Sequence, residues 1–123
     1  MYNYFEVTFF MYDIKFLSDE KIELISDNTL VYTKEGDKNC SSVVTNIRYL
    51  ILDYPSGVYN SMEDLRISGK INYIKKKEII LSVNISDIDK IVRDNDYDKI
   101  VLNNQEYILV NDKEIIEYLI NKL

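Results

Sequence analysis

Between Ile79 and Ile85 every second residue is aliphatic: Ile79, Leu81, Val83 and Ile85. A period of two puts those side chains on one face of an extended strand. The same pattern starts the chain. Phe5, Val7, Phe9 and Met11 alternate with Glu6, Thr8 and Phe10, then the phase moves by one residue to Tyr12, Ile14 and Phe16. This predicts a long strand over Tyr4–Phe16 with a bulge near Phe10 to Tyr12. Leu65, Ile67, Ile71 and Tyr73 alternate too, and with Lys75-Lys76-Lys77 as a charged turn they predict a hairpin onto 79–85.

Other strands are shorter. Ser18-Asp19-Glu20-Lys21 and Ser26-Asp27-Asn28-Thr29 have turn composition and bracket strands at Ile22–Ile25 and Leu30–Thr33. With the N-terminal strand these make an antiparallel meander. A second hairpin joins Lys99–Leu102 to Glu106–Val110 through Asn103-Asn104-Gln105.

Helical spacing appears in three places. At the C-terminus Asn111 is placed to cap, Glu114 follows as in a capping box, and Ile115, Ile116, Leu119, Ile120 and Leu123 form one apolar stripe. Over 41–54, Val43, Ile47, Leu50, Ile51 and Tyr54 fall at helical spacing and stop before Pro55. Ser86 stands ahead of a short third helix presenting Ile88, Ile91 and Val92, with Asp87 and Asp89 in its first turn. The expected fold is a single α+β domain over residues 1–123. Its antiparallel sheet of six or seven strands carries the C-terminal helix and one or two further helices on one face and leaves the other half solvated.

Composition narrows function by exclusion. The chain has no histidine, the commonest metal ligand and the side chain that titrates nearest neutrality. Acidic pairs such as Glu63/Asp64, Asp19/Glu20 and Asp87/Asp89 fall at turns or helix starts, so the sequence offers no catalytic set and implies no cofactor. Asp94-Asn95-Asp96-Tyr97-Asp98 resembles the opening of a calcium loop. Lys99 stands where such a loop needs glycine and Gln105 where it needs glutamate, so no metal site is expected. The lone Cys40 has no partner for an internal disulfide and reads as a small, inert residue. That, with no recognisable secretory leader and no apolar run of membrane length, gives the expectation of a cytoplasmic protein.

The net charge of −6 is uneven: the first 39 residues and the last 42 are each acidic, and the centre is slightly basic. Duplex nucleic acid, which binds through lysine and arginine, is a poor partner for such a chain, whereas a basic protein is a good one. Seven aromatic rings crowd residues 2–16. Large apolar groups stand on both faces of that strand where a half-exposed sheet needs only one, so Tyr2, Tyr4, Phe10 and Tyr12 are candidate partner-binding residues together with Asp94, Asp96 and Asp98. The resulting expectation is a non-catalytic inhibitor that blocks a basic, nucleic-acid-processing protein. In size, acidity and its bias toward Ile, Asn, Lys and Tyr, encoded by A/T-rich codons, the chain is similar to phage or mobile-element accessory proteins of the anti-CRISPR or anti-defence type and to toxin-immunity proteins.

Two alternatives carry different residues. A homo-oligomer holding a small anionic ligand, such as a nucleotide messenger, would use Arg48, Arg66 and Lys70. A small subunit of a larger host complex would depend on its partner for stability.

Overall fold

Tyr49, Leu50, Ile51 and Leu52 are consecutive, apolar and all fully buried. A strand shows no alternation when both of its faces are covered, and this run is a strand. The computed structural model describes residues 3–4, 14–53, 73–74 and 79–123. In chain order the strands are β1 (Asn3–Tyr4), β2 (Ile14–Lys15), β3 (Ile22–Thr33), β4 (Gly36–Thr45), β5 (Arg48–Leu52), β6 (Tyr73–Ile74), β7 (Ile79–Asn84), β8 (Ile88–Val92), β9 (Asp98–Leu102) and β10 (Glu106–Asn111). The helix α1 (Lys113–Lys122) follows.

Seven strands form an antiparallel sheet in the order β7-β5-β4-β3-β10-β9-β8, with β1 added in parallel against β10 and β2 paired separately with β6. The two ends of that order are consecutive in the chain, since only the 3-10 turn Ile85–Asp87 separates β7 from β8. A flat sheet of this many strands would hold its ends about 29 Å apart at ~4.8 Å per step, whereas so short a link spans at most about 14 Å. The sheet therefore curls until it closes. The Ile85 amide bonds the Ile47 carbonyl and the Asn103 amide bonds the Asp87 carbonyl, so the turn is the corner at which one bent strand passes from β5 to β9. The interior holds Val31, Val44, Tyr49, Ile51, Leu81, Val83, Ile100, Leu102, Ile108 and Val110, joined by Ile115, Ile116 and Leu119 of α1.

The closure corrects several expectations. Where a helix is expected over 41–54, the described residues 41–53 contain none: Ser41–Thr45 end β4 and Arg48–Leu52 form β5. Residues 86–92 are the 3-10 corner and β8, not a helix. Ser26–Thr29 is not a turn but a bulge, where the β3–β4 register shifts inside one continuous strand. Of the expected hairpin onto 79–85, β7 pairs with β5 on one edge and Tyr73–Ile74 pairs with Ile14–Lys15, and residues 65–72 and 75–78 lie outside the described residues. Among the described residues there is one α-helix, and the sheet is curled around its core instead of lying under helices with a wet far face. The predicted N-terminal bulge at Phe10 to Tyr12, the turn Lys75–Lys77 and the strand at 65–71 lie outside the described residues.

Other expected elements stand, among them the strand at 79–84 as β7 and the strands at 22–25 and 30–33 as parts of β3. The hairpin of β9 and β10 turns at Asn103–Gln105, with Gln105 in the left-handed region at φ 68°. The C-terminal helix also forms, but its cap is Asp112, whose Oδ1 accepts from the Ile115 amide at 3.2 Å, one residue beyond the expected Asn111. Ile120 and Leu123, placed in the apolar stripe, are exposed. The β3–β4 turn reverses at Gly36, whose φ of 105° is a conformation that side-chain-bearing residues rarely adopt. No described helix is long and apolar enough to cross a membrane.

Candidate functional site

Tyr32 and Asp37 are register partners near the tip of the β3–β4 hairpin, and both are exposed on its outer side. Tyr97 reaches them from the loop between β8 and β9. Its ring meets Tyr32 edge to face at 5.8 Å between centroids, and its hydroxyl donates to Asp37 Oδ1. Burial and the bond to Asp37, with the negative fields of Asp37 and Asp96, push the Tyr97 phenol up to about 12. The loop is fixed from below, because Asn111 Nδ2 donates to the Asp96 carbonyl at 2.9 Å. Asp94 and Asp96 are exposed beside it, and Glu35 is exposed at the hairpin turn with Lys34 as its neighbour. The result is an acidic outer surface centred on an exposed tyrosine, Tyr32 at 43%.

The expected site residues fare unequally. Asp94 and Asp96 belong to this surface. Asp98 does not: it is buried at the start of β9, where Oδ1 accepts from Arg93 Nε at 3.2 Å and from the Asp94 amide at 3.1 Å. Its carboxylate shapes the loop. Of the aromatic candidates, Tyr4 lies in β1 opposite Tyr107. Tyr2, Phe10 and Tyr12 lie outside the described residues, as do Arg66 and Lys70. Among the described residues no three acidic or cysteine side chains stand together as a metal site requires.

Arg48 is engaged within the fold. Its Nε and Nη2 bond the two oxygens of Glu20 at 2.8 and 2.7 Å, a fork-to-fork pair, and its guanidinium lies 5.6 Å from the Phe16 ring centroid. Thr45 Oγ1 and the Leu17 amide donate to the same carboxylate at 2.7 and 3.1 Å. Burial alone would raise the Glu20 carboxyl, but the bonds from Arg48, Thr45 and Leu17 outweigh it and hold the group below its ordinary value. This cluster fastens the 16–21 segment to the β4–β5 turn.

A third polar group lies inside the barrel. Asp112 Oδ2 accepts from Ser26 Oγ and from Thr29 Oγ1, each at 2.6 Å. Thr29 Oγ1 is 2.8 Å from Ser42 Oγ, which is 3.0 Å from the Tyr49 hydroxyl. Each hydroxyl has one proton. Since Thr29 spends its proton on Asp112, Ser42 must donate to Thr29 and Tyr49 to Ser42. The chain therefore runs in one direction, Tyr49 to Ser42 to Thr29 to Asp112. Full burial drives the Tyr49 phenol far above its ordinary value.

Sequence reading missed Tyr32, Asp37, Tyr97 and Glu20. Tyr97 carried one usable signal, an aromatic residue inside an otherwise acidic loop. No family model matches the chain, and no curated protein or solved structure is significantly similar to it.

Proposed function

We propose that the protein is a non-catalytic binder that blocks a basic partner, a nucleic-acid-processing protein, through the acidic tyrosine surface of Tyr32, Asp37, Asp94, Asp96 and Tyr97. The observation that carries this reading is the fixed Tyr97–Tyr32–Asp37 contact. It holds aromatic and acidic groups ready on an outer surface, so little ordering cost remains at binding. Acidic groups steer a basic face into encounter, and desolvated aromatics slow its departure. The finer classes, a phage or mobile-element anti-defence protein or a toxin-immunity protein, belong to the same proposal and rest on size and composition. The anionic-ligand alternative is weakened because Arg48 is already held by Glu20.

The test is affinity capture from the source cell or its host with the wild-type protein and with the paired variant Tyr32→Ala/Asp96→Lys. The expected result is a stoichiometric basic partner held by the wild type, lost from the variant and displaced by nucleic acid. A partner held equally by both would overturn the assignment of the surface, and one indifferent to nucleic acid would overturn the inhibitor class.

A further inference from the structure

The weakest join in the barrel is between β3 and β10. Two residue pairs connect them, Val110 with Val31 and Asn111 with Leu30. Beyond the join, the first half of β3 runs beside α1: Tyr118 and Lys122 both reach Glu23, and Asp112 reaches Ser26. The β3–β4 ladder also breaks between Ser26 and Thr29. One carboxylate bridges these features. Asp112 caps α1 through Oδ1 and holds the hydroxyls on both sides of the break through Oδ2.

We infer that Asp112 is a single-point latch by which α1 and the bulged half of β3 open and close as one unit over the β3–β10 join. Losing this one acceptor uncaps the helix and strands two hydroxyls at the same moment, so neither element can loosen alone. The other polar tie, Glu23 with Lys122 and Tyr118, is exposed and holds little. Burial of Ile115, Ile116 and Leu119 keeps the unit closed most of the time. Opening of this kind is local, below the free energy of unfolding the whole barrel.

The fold supplies its own reporter. Cys40 is the single cysteine of the chain, fully buried, the register partner of Thr29 and a member of the same core cluster as the helix residues. Burial pushes its thiol up to about 12, so a thiol reagent meets a reactive sulfur only after opening.

The experiment measures maleimide labelling of Cys40 over rising urea, with amide hydrogen exchange, in the wild type and Asp112→Asn. The variant should label about 10- to 100-fold faster, from loss of hydrogen bonds to a charged group. That rate should depend only weakly on urea, with exchange accelerated in α1 and residues 22–29 ahead of β4, β5 and β9. Labelling that follows the full urea dependence of global unfolding, or exchange that rises equally in every strand, overturns the inference. Ser26→Ala keeps the cap and serves where Asp112→Asn does not fold; it should show the same pattern at smaller amplitude, and unchanged labelling would count against the latch. Glu23→Gln, which cuts only the exposed tie, should leave Cys40 labelling nearly unchanged, and labelling raised as far as in Asp112→Asn would overturn it.

Discussion

The Tyr97 hydroxyl donates to the Asp37 carboxylate and ties the β8–β9 loop, on the outside of the barrel, to a hairpin 60 residues earlier in the chain. The bond has a definite signature in alkali. Below about pH 10 the phenol is protonated in folded and unfolded chains alike, so its contribution is complete. Above that the unfolded chain loses its proton first, and stability falls until pH passes the folded value of about 12. Tyr97→Phe should remove this part of the alkaline loss while costing about 1 kcal/mol or less at pH 7. Absorbance titration of the phenols checks it: the wild type should hold one more late-titrating tyrosine than the variant.

Glu20 and Arg48 predict the acid side. The Glu20 carboxyl is held below its ordinary value, so its contribution is complete above the unfolded value of about 4.3 and is lost as pH falls through the depressed folded value. Glu20→Gln should remove that acid-dependent loss and leave a partly buried guanidinium without its counter-charge, at about 3 kcal/mol near neutrality. Urea unfolding from pH 2 to 7 tests both. An unchanged acid limb would mean that another carboxylate dominates it.

How much of this was legible depends on local pattern. The β9–β10 hairpin and α1 could be read because alternation, turn residues and a helical stripe lie within short windows. Residues 41–54 could not, because Val43, Val44, Tyr49, Leu50, Ile51 and Leu52 are all fully buried and burial on both faces erases the period. At Ile88–Val92 the cause is different. A register shift between Ile88 and Lys90 adds a residue to the strand, so Ile88 and Ile91 take the spacing of a helix turn. Tyr97 and Asp37 belong to no periodic pattern at all, and their meeting is a product of barrel closure.

The one-way hydroxyl chain predicts an order of costs. Ser42→Ala removes the acceptor of the buried Tyr49 hydroxyl and should cost about 1–3 kcal/mol, because an orphaned donor loses its water and gains nothing. Tyr49→Phe removes only the first donor in the chain and should cost less. Once Tyr49 is phenylalanine no donor is left to orphan, so the double variant should be no worse than Ser42→Ala alone. Denaturant midpoints of the three variants decide it. Tyr49→Phe proving the costlier single change would reverse the assigned direction.

The proposed binding role of the outer surface makes a kinetic prediction, because on that reading its acids and its tyrosine would act at different stages of binding. Asp94 and Asp96 are exposed and remote from the core, so Asp94→Lys/Asp96→Lys should leave the midpoint of unfolding within about 0.5 kcal/mol of wild type. Against the captured partner it should lower the association rate about tenfold at low salt and flatten the dependence of that rate on salt. Tyr32→Ala removes a half-exposed ring from the centre of the surface and should act mainly on the dissociation rate. Surface plasmon resonance over a range of salt concentrations separates the two effects. If the charge reversal changed only dissociation, the acids would be contacts and not a steering field. An association rate indifferent to salt in the wild type would argue against a basic partner altogether.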